Sequence, residues 1–197
     1  MEPIILASSS PRRQEILKRM NIPFIVMPSN QEESFPADLE PHKVSEYLAE
    51  QKLQNVLKQL GIKEQEVSWI LSADTTIILN GKIYGKPKDV EEAEQFLKDF
   101  QGKTHEVVTA VNLYNGTLHA HTNRTITTKV TMAAMNQEEI DWYLGTGEWH
   151  GVAGAYRIQG LASCFIKKIE GTDSCVMGLP IFELYDMLRE QNYSIIQ

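Results

Sequence analysis

The sequence has few cysteines, a deficit of positive charge and no long apolar run, and each shortage excludes something. Two cysteines, Cys164 and Cys175, among 197 residues cannot build a disulfide framework, and their spacing matches no zinc motif. Two free thiols suit a reducing compartment. Lys and Arg number 19 against 26 Asp and Glu, a formal net charge of −7. A general nucleic-acid binder needs a basic face to displace counterions, so that class is excluded. No stretch approaches the ~20 apolar residues that span a bilayer. The opening Met1-Glu2-Pro3-Ile4-Ile5-Leu6 is too short and too acidic for a signal peptide. The expectation is a cytoplasmic chain with neither nucleic acid nor membrane as partner. An anionic ligand would have to be held by a local cluster of cations.

What is present looks globular. Hydrophobic residues make up 42% and charged residues 23%, close to ordinary values. The length suits one domain or two closely packed lobes, and residues 1–197 read as one unit without repeats or a low-complexity linker. Ile4-Ile5-Leu6-Ala7 reads as a short buried strand, and Ser10-Pro11 as the N-cap and first residue of a helix with Ile16, Leu17 and Met20 inward. A second strand is expected at 24–27, a polar loop through Glu32 and Glu33, and a helix over about 42–60. Trp69-Ile70-Leu71 and Ile77-Ile78-Leu79 flank a polar centre within one long strand, and Asn80-Gly81 closes a hairpin. Asp89 to Glu92 has capping-box spacing before a helix carrying Ala93, Phe96, Leu97 and Phe100. Strands are expected at 105–114, 125–132 and 162–169, with Asn115-Gly116 as another hairpin turn. A helix should start near Asn136 with Trp142 and Tyr143 in the core, and another should cover 181–190. This mixture means α/β or α+β, with no regular βαβ rhythm to decide between them.

Five segments could carry chemistry. Ser8-Ser9-Ser10-Pro11-Arg12-Arg13 puts hydroxyls and two guanidiniums at a helix N-terminus, which suits a polyphosphate; a plain N-cap with solvated arginines fits as well. Val44, Leu48, Lys52 and Val56 are spaced by four, which sets Lys52 in an apolar stripe. Its ammonium either snorkels to the surface or reaches into a cleft. Ser72-Ala73-Asp74-Thr75-Thr76 places a carboxylate inside an apolar strand. That is costly unless the group is paired, hydrogen-bonded or metal-bound, and such carboxylates are enriched at active sites. Asp74 could deprotonate or orient a water or help hold Mg²⁺ through oxygen. Lys86 projects from a turn fixed by Gly85 and Pro87, and Gln159 from a glycine-bounded segment, 154–160, where it could read a base edge. Both of these signals are weak alone. His105, His119, His121 and His150 lack partners at useful spacing.

In order along the chain, Leu6-Ala7-Ser8-Ser9-Ser10-Pro11-Arg12-Arg13, Ala73-Asp74-Thr75, Gly85-Lys86-Pro87, Thr109-Ala110-Val111, Ala153-Gly154-Ala155-Tyr156, Ile158-Gln159-Gly160 and Gly178-Leu179-Pro180 resemble the signature segments of the Maf family. The resemblance implies a mixed α/β fold similar to inosine triphosphate pyrophosphatases, with a twisted mixed sheet, flanking helices and two lobes around a nucleotide cleft. It implies hydrolysis of nucleoside triphosphates to monophosphate and pyrophosphate with a divalent cation, Mg²⁺ or Mn²⁺. Asp74 matches the family's proton acceptor. Arg13, Glu33, Lys52, Lys86 and Gln159 match its other site residues. Ser8 and Arg12 join the substrate-binding set, and Glu33 and Asp74 are the metal candidates.

Arg12, Thr75 and Gln159 resemble the branch acting on dTTP and UTP, whereas the 7-methyl-GTP branch tends to carry tryptophan, glutamine and glutamate there. Pyrimidine nucleoside triphosphates are therefore the expected substrates. A nucleotide-sensing regulator of cell division is the rival from another class, and a homodimer is left open. Two features depart from the family: Trp149-His150-Gly151-Val152 lacks a lysine often found there, and Arg157 is bulkier than many members carry.

Overall fold

The computed structural model describes residues 1–30, 33–61 and 69–196; Glu32 of the expected polar loop lies outside them. The chain forms β1 (Ile4–Leu6), α1 (Pro11–Arg19), β2 (Phe24–Val26), α2 (Pro41–Leu60), β3 (Trp69–Leu79), β4 (Lys82–Tyr84) and α3 (Val90–Phe100). It continues with β5 (Thr104–Asn115), β6 (Ala120–Met132), α4 (Gln137–Gly145), β7 (Ile166–Glu170), α5 (Asp173–Met177) and α6 (Ile181–Glu190). One seven-stranded sheet runs β2-β1-β3-β5-β6-β7, with β4 beside β3. β1 is parallel to β2 and β3, and every other pairing is antiparallel. The fold is therefore mixed α/β.

Period-two alternation divides the core. Ile4 and Leu6 face the main cluster, with Leu71, Phe100 and Leu113. Ile5, Ala7 and Ile70 face a second cluster closed by Leu53 and Val56 of α2. Burying both faces explains why β1 and β3 read as apolar runs rather than alternating ones.

One edge of β3 is shared. β1 pairs with Ile70 and Leu71, and β4 pairs with Ile77, Ile78 and Leu79. Between them the chain of β1 departs into α1, so the polar stretch of β3 opens on a crevice at the carboxyl end of a parallel strand. Ligands of open α/β sheets bind in such places.

Several local expectations need correcting. The strand expected at 162–169 begins only at Ile166, after a 3-10 turn over Leu161–Phe165; its buried residues, Ala162 and Phe165, keep the three-residue spacing of that helix. Asn115-Gly116 is not a two-residue turn. Asn115 stays paired with Ala120, its Oδ1 accepts from the Leu118 N–H at 3.1 Å, and His119 takes the positive φ. Asn80-Gly81 does close a two-residue hairpin, with Leu79 opposite Lys82 and φ of 52° and 77°. Asp89 caps α3, but Glu92 reaches back to the N–H of Lys88 instead of Asp89. The full capping box is at Asn136 and Glu139. Tyr143 is core, whereas Trp142 is half exposed.

Candidate functional site

Crossing β3, the chain passes from Asp74 on the α2 face to Thr75 on the opposite face. Asp74 is buried, and α2 sets Lys52 against it, with Nζ 2.6 Å from Asp74 Oδ1 and 2.9 Å from Glu33 Oε1. Ser72 Oγ donates to the Ala49 carbonyl at 2.7 Å and holds this helix to the strand. An ammonium has three N–H donors, so two carboxylates leave one for a further ligand. The apolar stripe thus carries Lys52 into the cleft, and the snorkelling alternative falls. Asp74 Oδ2 has no hydrogen-bond partner among the described residues.

Glu33 is half exposed. Burial acts to raise its pKa, but Lys52, aided by Lys86 and Arg13, overrides this and holds it below the usual carboxylate range. It is a carboxylate at neutral pH.

Ser10 occupies the N-cap of α1 without a side-chain capping bond. Ser8 Oγ instead accepts from the Ser10 N–H at 3.2 Å and from Arg13 Nη1 at 2.9 Å. No acid stands in the first turn, so the positive end of the helix and its free N–H groups are uncompensated.

Arg13 is buried and does more structural work than its sequence context suggests. Its Nε donates to the Gly178 carbonyl at 2.7 Å and its Nη2 to Thr75 Oγ1 at 3.2 Å. Thr75 and Thr109 are register partners, with hydroxyls 2.9 Å apart, and Thr109 Oγ1 donates to the Cys175 carbonyl at 2.8 Å. The direction of the run follows: Arg13 donates to Thr75, Thr75 to Thr109, and Thr109 to the backbone. The Thr75 hydroxyl can then offer a ligand only an acceptor. Burial lowers the Arg13 pKa, against the raising influence of Asp74 and Glu33; an arginine stays charged all the same.

A cleft of about 400 Å³ gathers Ser8, Arg12, Arg13, Glu33, Lys52, Asp74, Thr75, Lys86 and Gln159. All nine residues picked from the sequence therefore share one cavity. Lys86 and Gln159 are exposed, and neither hydrogen-bonds another described residue. The opposite wall is fixed from behind. The Gly154 N–H donates to the Gly85 carbonyl at 2.9 Å, joining the wall to the Lys86 turn. His105 Nε2 and the Tyr156 hydroxyl are 2.8 Å apart, and His105 stacks on Phe100 at 4.5 Å between centroids.

Sequence spacing missed His105, Thr109, Tyr156 and Gly178 as supports. His121 and His150, also read as partnerless, meet Glu50 and the Gly147 carbonyl. The register of β3 on β5 would have revealed Thr109, but register needs the assembled sheet.

The cations and carboxylates can hold a polyphosphate and direct a water at it. Glu33 and Asp74 both lie within hydrogen-bonding reach of one ammonium, so they stand near each other and offer hard oxygen donors. No group of three or more acidic, His or Cys side chains poised for a metal occurs among the described residues. That donor set fits Mg²⁺, which usually takes one or two carboxylates and completes its shell with substrate phosphates and water.

No helix among the described residues is long and apolar enough to cross a membrane. A solved structure, the Staphylococcus aureus Ham1 protein, overlaps 67% of this chain and 72% of its own with a TM-score of 0.47 and 17% identity. The mixed α/β class rests on the sheet itself. A Pelotomaculum thermopropionicum protein named dTTP/UTP pyrophosphatase is 38% identical over 196 residues, covering 100% of both chains. One from Caldicellulosiruptor saccharolyticus with the same name is 39% identical over 197 residues, covering 100% of this chain and 98% of its own. The model of the Maf-like protein family matches residues 3–191, and on that match and those identities the chain belongs to the Maf family.

Proposed function

We propose that this chain is a nucleoside triphosphate pyrophosphatase that hydrolyses dTTP and UTP to the monophosphate and pyrophosphate. The observation that carries the chemistry is Asp74, a buried carboxylate with one oxygen on Lys52 and the other open to a cation-lined cleft. Full-length relatives named for dTTP and UTP carry the substrate.

The phosphate chain lies along the N-terminus of α1, Arg12, Arg13, Lys52 and Lys86. Asp74 Oδ2 takes a proton from water as its oxygen bonds the α-phosphorus. The bond from that phosphorus to the bridging oxygen breaks, and pyrophosphate leaves. Lys52 holds Asp74 in place. Preorganised positive charge is the main catalytic contribution for such a step. Glu33 and Asp74 would hold Mg²⁺ or Mn²⁺, which would neutralise charge on the phosphate oxygens. Gln159 offers both donor and acceptor to a pyrimidine edge, and Thr75 an acceptor. An exposed free thiol, Cys164, suits the reducing cytoplasm.

Purified protein incubated with UTP, dTTP, CTP, GTP and 7-methyl-GTP, with Mg²⁺ or Mn²⁺, tests the reading. Fastest release of UMP and dTMP with pyrophosphate is expected. Release of orthophosphate and diphosphate, or tight binding without turnover, would replace the enzyme with another activity or with a sensor. Preference for 7-methyl-GTP would move the chain to the methylated-purine branch.

A further inference from the structure

Arg157 lines the same cleft as Arg12 but has no part in the proposed hydrolytic step. Neither guanidinium forms an ion pair with a carboxylate among the described residues. Arg157 Nε is buried and lacks a hydrogen-bond partner, a cost normally avoided for a charged donor. Glu148 is near enough to influence the Tyr143 hydroxyl, as Arg157 does, but it turns instead to the Leu161 N–H at 2.9 Å.

The mounting of Arg157 is firm. Its backbone N–H donates to the Tyr143 hydroxyl at 3.1 Å. The two preceding turn residues, Gly154 and Ala155, are held at φ of 69° and 61°, and Tyr156 is tied to His105. A segment fixed at so many points holds the Arg157 backbone in place at the cleft wall. Burial first, then Arg13, then Arg157 lower the Arg12 pKa, so like charges face each other across this part of the cleft.

We propose that Arg12 and Arg157 form an anion clamp that grips phosphate oxygens of a polyphosphate, with Arg157 a binding residue in its own right. Two guanidiniums that line one cleft without a carboxylate partner among the described residues are matched by a group with several charged oxygens, since guanidinium binds phosphate in bidentate fashion. A neutral base carbonyl would leave the repulsion unrelieved. The ligand class rests on the proposed pyrophosphatase reading: the oxygens belong either to the bound triphosphate or to free pyrophosphate.

Thermal unfolding with increasing inorganic pyrophosphate, UTP or UMP distinguishes these sources, using the wild type, Arg157→Gln and, as a remote charge control, Lys103→Gln. Loss of one charged contact should weaken pyrophosphate and UTP about tenfold, with UMP little changed and Lys103→Gln like the wild type. Weakening by UTP alone assigns the clamp to bound substrate only. Titrations with pyrophosphate and with UTP that are both the same in the wild type and Arg157→Gln overturn the proposal. If the UTP to CTP preference also changes in that case, Arg157 reads the base. A wild type that binds pyrophosphate through Arg157 but never turns over UTP would keep the clamp and defeat the pyrophosphatase reading.

Discussion

Lys52 and Asp74 form an ion pair whose side chains are only 11% and 8% exposed, and each is the other's opposite charge in a dry setting. Taking both from water costs several kcal/mol per ion, offset by their attraction and by the second carboxylate on Lys52. Removing one partner strands the other. Lys52→Ala should therefore lower stability by about 3–5 kcal/mol as well as activity. Lys86→Ala, at an exposed turn, should leave stability nearly unchanged while reducing kcat/KM roughly tenfold or more. Chemical denaturation beside steady-state kinetics separates the two. A Lys52→Ala protein as stable as the wild type would refute the buried pair.

Asp74→Asn keeps the shape and an acceptor for Lys52 but removes the base. Turnover should fall about 10²–10⁴-fold while cooperative unfolding persists. A loss of only a few-fold in a well-folded variant would take Asp74 out of the chemistry.

His105 gives a pH dependence unrelated to catalysis. Burial lowers its pKa from 6.5 to about 4, so the folded protein holds it neutral. Between pH 6.5 and 4 the unfolded chain binds the extra proton and the folded one does not. Stability from this residue is therefore complete above 6.5 and lost as pH falls toward 4, by about 3 kcal/mol at most. His105→Gln can still bond Tyr156 but cannot titrate, and its stability should slope less across that window. Parallel slopes in denaturant melts at several pH values would contradict the assignment.

Gln159→Glu removes the donor that a pyrimidine carbonyl needs. The expected penalty on UTP is about 1–3 kcal/mol, roughly ten- to a hundredfold, with 7-methyl-GTP suffering less because its ring is cationic. The ratio of kcat/KM on the two nucleotides is the readout. An unmoved ratio would mean that Gln159 does not face the base.

Gly178 adopts φ of 99°, and a Cβ there would stand 2.9 Å from Thr75 Oγ1 and 3.4 Å from Arg13 Nε. Gly178→Ala should cost about 1–3 kcal/mol in backbone strain and displace Arg13 and Thr75 as well. Lower stability with unaltered kinetics would show that the cleft tolerates movement of its rear wall.

Local grammar made much of this legible. Ser10-Pro11 located α1, the four-residue spacing placed Lys52 inward, and the apolar flanks of Asp74 marked a buried carboxylate. What stayed hidden depends on long-range pairing. Arg13 reads as a ligand cation next to Arg12, yet three of its donors end on Ser8, Thr75 and Gly178, the last supplied by the distant cap of α5. His105 looks isolated because its partner Tyr156 lies 51 positions away. Trp142 and Tyr143 share one helix and similar hydropathy, but helix rotation buries only the second.

The bond from Arg13 to Gly178 spans 165 positions, and that from Tyr193 Oη to the Glu2 carbonyl spans 191. A ribosome releases the two ends of these contacts many seconds apart, at roughly 5–20 residues per second. Arg13 thus emerges early and Gly178, which braces it, emerges late. An interrupted translation product has the cations without their scaffold, so the working pocket exists only once the C-terminal third has been synthesised and has folded back onto the beginning.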